Sequence, residues 1–81
     1  MTEALRTAVI AAQSMLGVSL SQLWVDAVGL GGTATIFELE SYLSGRGELS
    51  SFEYDVVAQA LNERFVGEQS DHPVPYSSRN Q

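Results

Sequence analysis

Four carboxylates stand in two close pairs in this chain, Glu38 with Glu40 and Glu53 with Asp55, and paired carboxylates are one way to build a general acid and base. Their spacing argues against that use. Side chains two residues apart on a helix point in different directions, so both pairs read as parts of a solvated acidic face. His72 is the one histidine, and in a chain without cysteine it has neither a thiol to activate nor a second imidazole with which to share a metal. The segment Gly29 to Ala34, GLGGTA, fits the G-x-G-x-x-A pattern of a pyrophosphate-binding loop. That loop works only where a strand enters it and a helix leaves it within a parallel sheet. Here a helix cap and a helical stripe precede it and no strand pattern follows, so it reads as a glycine-rich helix stop. No catalytic, cofactor-binding or metal-ligating residue is assigned. The expectation is a non-enzyme with no cofactor.

The elements that hold these residues are written in capping signals. Ser50 with Glu53, Ser19 with Gln22 and Thr35 with Glu38 are each a hydroxyl followed three residues later by Glu or Gln, the pattern of a capping box. Leu49 with Tyr54, and Val18 with Leu23, add hydrophobic staples. The longest helix runs from Ser50 to Val66, with Tyr54, Val57, Ala58, Leu61 and Phe65 recurring at three- and four-residue steps on a core face. A second row, Phe52, Val56 and Ala60, steps along another side, so one neighbour cannot cover both. Before it, Thr2 is placed to cap a first helix ending at Leu16, with Leu5, Ala8, Val9, Ala12 and Leu16 on one face and Arg6 off it. Gly17 ends that helix in a left-handed conformation. Leu20, Leu23, Trp24 and Ala27 form the stripe of a second helix, stopped by Gly29, Gly31 and Gly32. Ile36, Leu39 and Leu43 give a short third helix its core face. Trp24, the single tryptophan, is expected at the middle of the core with Leu39, Leu61 and Phe65. The fold class is therefore all-α, a small four-helix orthogonal bundle with a short Pro-containing C-terminal tail. Residues 1–66 form the helical domain and 67–81 the tail, which is expected to be disordered or bound to a partner because Pro73 and Pro75 forbid a continuing helix. The alternative is that Val74 and Tyr76 fold back onto the bundle.

Composition narrows the partners. Eighty-one residues suffice for one small domain, and a chain of that length buries only about 60% of its unfolded surface. The absence of cysteine excludes a disulfide framework, and no apolar run reaches the length of a membrane span. With no basic start of a signal peptide, a cytoplasmic location is expected. Ten acidic residues against four arginines, Arg6, Arg46, Arg64 and Arg79, with no lysine, give a net charge of -6. Backbone binding to nucleic acid needs clustered cations, and these are scattered. A helix-turn-helix formed by residues 35–44 and 50–66 would also place Glu53 and Asp55 against phosphates. Nucleic acid is disfavoured as a partner, and DNA binding is kept as an alternative to the main reading.

Two resemblances bear on the same residues. LGG followed by a helix is similar to the attachment region of peptidyl carrier domains, small acidic four-helix bundles in which a serine two residues after LGG carries phosphopantetheine. That position is Ala34, between Thr33 and Thr35. The resemblance implies shape and not activity. The pattern GLGGTATIFELESYLSG followed by ALNER, with VPY near the end, resembles small helical proteins of actinobacteria. It implies a bacterial single-domain helical protein and carries over no function.

The function expected is a non-enzymatic protein-protein interaction or regulatory module, with a helix-turn-helix-like DNA-binding regulator, or a carrier-like or enzymatic domain, as the alternatives. Ile10 and Val25 fall on the outer faces of helices one and two, and Phe37, Phe52 and Val56 lie off the principal faces of three and four. Phe52, Val56, Ala60 and Phe37 are the candidate interface, flanked by Asp55 and Glu63. A protein partner with basic rims, or a homo-oligomer, is expected there.

Overall fold

Three helices begin where a hydroxyl stands three residues before a backbone N–H that it satisfies. In the computed structural model, which describes residues 3–67 and 74–77, the elements are α1 (Glu3–Leu16), α2 (Leu20–Gly29), α3 (Ile36–Leu43) and α4 (Ser51–Gly67). Ser19, Thr35 and Ser50 each accept from the N–H three residues on, all at 3.1 Å. Thr35 and Glu38 close both halves of their capping box. In the other two the third residue is used elsewhere, Gln22 on Asp26 at 3.0 Å and Glu53 on the α2–α3 loop. The expected cap at Thr2 lies outside the described residues. Gly17 adopts φ 67°, the left-handed region that glycine enters without steric cost. The chain then turns sharply, and α1 and α2 meet at 109°. The described residues form a small all-α bundle.

The longest helix sits at its middle. α4 packs on α1 and α2, and α3 packs on the same two. Tyr54, Val57, Ala58, Leu61 and Phe65 are all buried, as their spacing predicts. Val9 and Ala12 of α1, Leu23 and Ala27 of α2, and Leu39 of α3 complete the expected faces. The centre is different. Tyr42 and Tyr54 are fully buried, with ring centroids 6.2 Å apart in an edge-to-face arrangement. Trp24 is only partly buried, because its indole N–H donates to the Ala34 carbonyl at 2.9 Å and so keeps the ring at the border of the core.

Arg6 is the second departure from the expected pattern. It lies inside, with its guanidinium carbon 4.8 Å from the centre of the Tyr42 ring. Its Nε donates to the Tyr42 carbonyl at 2.7 Å, and Nη2 donates to the Gly47 carbonyl at 3.2 Å and to Glu48 at 3.3 Å. Nη1 pairs with Glu3. One side chain thus fastens α1 to the end of α3 and to the loop that leads into α4. A planar fork makes this possible where an ammonium could not.

Residues 74–77 lie back on the bundle. Val74 is buried and Tyr76 packs against the core. Gly67, expected to begin the tail, is the last residue of α4, and residues 68–73 and 78–81 lie outside the described residues.

Candidate functional site

The glycine-rich loop is where a ligand was conceivable, and the protein fills it with its own carboxylate. Glu53, in the first turn of α4, accepts from the Thr33 N–H at 3.1 Å, the Thr33 hydroxyl at 2.6 Å and the Ala34 N–H at 3.2 Å. These are the donors that would otherwise face an anion. A helix and not a strand enters the loop, so its geometry is that of a stop and a tie. Burial works to raise the Glu53 pKa, but the bonds from Thr33 and Ala34 outweigh it and hold the carboxyl below its ordinary value. Ala34 itself receives the Trp24 indole on its carbonyl. The position that bears a serine in carrier domains is therefore occupied by a joint of the fold.

The other carboxylates of the two pairs are likewise engaged. Glu38 accepts from the Thr35 N–H at 2.7 Å, Glu40 pairs with Arg46 at 2.6 Å, and Asp55 accepts from the Ser77 N–H at 2.7 Å. Neither pair shares a proton or a target. Glu38, Glu48 and Glu53 line a shallow depression of about 300 Å³ with Thr33, Ala34 and Ser50. Each of the three is committed to a cap, to Arg6 or to the loop. Among the described residues no three His, Cys, Asp or Glu stand together as a metal site. His72 lies outside the described residues.

The candidate interface divides. Phe37 is 78% exposed and Phe52 58% exposed, as expected of outer positions. Val56 and Ala60 are core, 5% and 2% exposed. The row was expected either to face a partner or to be covered by helix one or the tail, and the cover comes instead from α2 with the turn after it. A Cβ on Gly32 would stand 3.2 Å from Val56 Cγ1, which shows how close the turn lies. Only a glycine lets the backbone come so near. What α4 leaves to solvent is a stripe of Phe52, Gln59, Glu63 and Val66, spaced as one helical face.

Beside that stripe runs an open groove of about 440 Å³ between α2 and α4. Val25, Leu30 and Ala60 give it an apolar lining, and Asp26, Glu63 and Arg64 stand at its polar side. Arg64 donates to Asp26 at 2.6 Å across the two helices. That bond is the main cause of a lowered Asp26 pKa, with burial acting against it and a bond from Gln22 adding to it. Val25 is half exposed and was placed on an outer face by its spacing alone. The groove itself was not legible, because it is made by two helices whose crossing is set by the loops.

α4 is covered by α1 and α2 on its flanks. Its exposed stripe carries Glu63 and no cation. No single helix among the described residues is long and apolar enough to cross a membrane. Fold and surface together define a small all-α bundle in which, among the described residues, Arg6, Asp26, Glu53 and Arg64 tie its elements together. No family model matches this chain, and no curated protein or solved structure is similar to it.

Proposed function

We propose that this chain is a non-enzymatic protein-protein interaction module, and that its partner-facing surface is the groove between α2 and α4. The observation that supports this reading is the groove's composition: a half-exposed valine and an apolar floor beside Asp26, Glu63 and Arg64. Concave apolar surface with a polar rim is the usual form of a binding patch. Glu63, at the groove and on the neighbouring stripe, favours a partner with a basic rim, since complementary charge speeds encounter and rejects wrong partners. A symmetric homodimer across the groove would oppose like charges.

The titratable groups support the non-enzymatic half of the reading. Glu53 and Asp26 are held as anions by structural bonds, and Tyr42 and Tyr54 are held neutral by burial. The perturbed groups are accounted for by packing, not by a convergent site.

Val25→Arg tests the proposal. Val25 already faces solvent, so the variant keeps its helicity and melting temperature. Loss of a partner that co-purifies with the unaltered chain, or of its self-association in sedimentation, is the expected result. Unchanged association in a folded variant would overturn this placement of the surface.

A further inference from the structure

The flank of α4 opposite that groove holds residues 74–77, and it does so almost entirely through their main chain. Asn62 is 2% exposed there, and a buried amide needs both its donor and its acceptor satisfied. Nδ2 donates to the Val74 carbonyl at 2.9 Å and Oδ1 accepts from the Val74 N–H at 3.0 Å. One side chain thereby plays the part of a neighbouring strand. Tyr54 Oη donates to the Pro75 carbonyl at 2.8 Å, and Asp55 Oδ1 accepts from the Ser77 N–H at 2.7 Å. From Val74 at Asn62 to Ser77 at Asp55, the segment runs antiparallel to α4. The Val74 side chain is buried.

These are the terms on which grooves hold extended peptides: main-chain bonds give affinity and a pocket for one side chain gives selection. Proline suits position 75 because the groove takes the carbonyl there, and proline also keeps Val74 extended. We propose that this flank is a recognition groove for an extended Val-Pro segment, filled in cis by residues 74–77 and open to exchange with the same segment of a second copy. Six residues, 68–73, separate α4 from Val74 in sequence. So short a tether gives the cis segment an effective concentration on the order of millimolar, so the closed monomer prevails in dilute solution. In concentrated solution exchange sets in, because the swapped pair makes the same contacts. This groove is separate from the α2–α4 surface, and Val25→Arg leaves it untouched.

Two measurements on the full chain decide it. In native-state hydrogen exchange, the Val74 N–H exchanges faster than the Leu61 N–H by about tenfold or more, because the segment opens without unfolding the bundle. Equal rates that track global unfolding would overturn the proposal. In the second, isotope-labelled Val74→Asp chain is titrated with a peptide of residues 70–81. The Asn62 side-chain resonances move to their wild-type positions, and a peptide carrying the same Val74→Asp change has no effect. A folded variant that shows no shift at several millimolar peptide, or responds equally to both peptides, overturns it. Should the variant fail to fold, the exchange rates decide.

Discussion

Glu53 and Thr33 are joined through three atoms of Thr33's surroundings: its N–H at 3.1 Å, its hydroxyl at 2.6 Å and the following Ala34 N–H at 3.2 Å, all onto one carboxylate. The pairing ties the start of α4 to the loop between α2 and α3. It also replaces the return half of the expected capping box, since Glu53 reaches outward to the loop while its own N–H stays on Ser50.

An acid-dependent stability follows from that bond and from Arg64–Asp26. Both carboxyls have folded pKa values below their ordinary 4.5 and 3.8. A lowered pKa contributes stability that is present above the unfolded value and lost as pH falls through the folded one. The melting temperature is expected to fall on acidification below those values, and Glu53→Gln to shallow the fall while costing about 1 kcal/mol near neutrality. Melting curves from about pH 7 down to pH 3 measure it. An acid limb of unchanged slope in the variant would assign the dependence elsewhere.

Tyr42 and Tyr54 should respond oppositely to loss of the hydroxyl. Tyr42 Oη is buried without a hydrogen-bond partner among the described residues, whereas Tyr54 Oη donates to Pro75. Tyr42→Phe is therefore neutral or stabilising, and Tyr54→Phe costs about 1 kcal/mol. Burial raises the Tyr42 phenol from 10.0 to about 12. A raised pKa favours the neutral folded form below the unfolded value, so stability is lost as pH rises from 10.0 to about 12. Denaturant titration and the ultraviolet phenolate band report the two effects, and a costly Tyr42→Phe would reveal a partner for that hydroxyl.

Arg6→Lys should be destabilising although the charge is kept. The lysine ammonium cannot reproduce bonds from Nε to Tyr42 and from Nη2 to Gly47 and Glu48, nor stack as a plane over the ring. The loss expected is about 1–3 kcal/mol, the range for bonds to a charged group. Thermal unfolding checks it; a difference below about 0.5 kcal/mol would mark Arg6 as a surface cation.

What the sequence revealed was local. The three hydroxyl caps at Ser19, Thr35 and Ser50 act within one turn, so their residue types alone locate the helix starts. The core face of α4 was readable for the same reason, and so were the outward positions of Val25, Phe37 and Phe52. Contacts made across long stretches of chain were not. Arg6 is buried by partners 36 to 42 residues away, and nothing near it in sequence distinguishes it from an exposed arginine. Trp24 has the larger ring, but the Ala34 carbonyl draws its indole to the border and leaves the centre to two tyrosines. Asn62 carried no signal, because its role exists only once Val74 returns to it.

Leu61→Ala calibrates the core, since Leu61 is fully buried: the expected loss is about 2–5 kcal/mol. The same physics distinguishes two substitutions that the sequence pattern would place together. Val56 and Val25 both look outward by helical spacing, yet Val56 is covered by the turn at Gly32 and Val25 is half exposed. An arginine at 56 would have to push the turn away or bury an unpaired charge, so Val56→Arg unfolds or severely destabilises the chain. Gly32→Ala should act in the same direction from the other side of the contact. Its Cβ would lie 2.9 Å from the Ala27 carbonyl oxygen, a backbone atom that cannot swing aside. The cost expected is about 1–3 kcal/mol, typical of overpacking. Circular dichroism and melting of the three variants give the comparison. If Val56→Arg keeps wild-type helicity and stability, the cover over α4 is absent in solution and its Phe52, Val56 and Ala60 row is a free face after all.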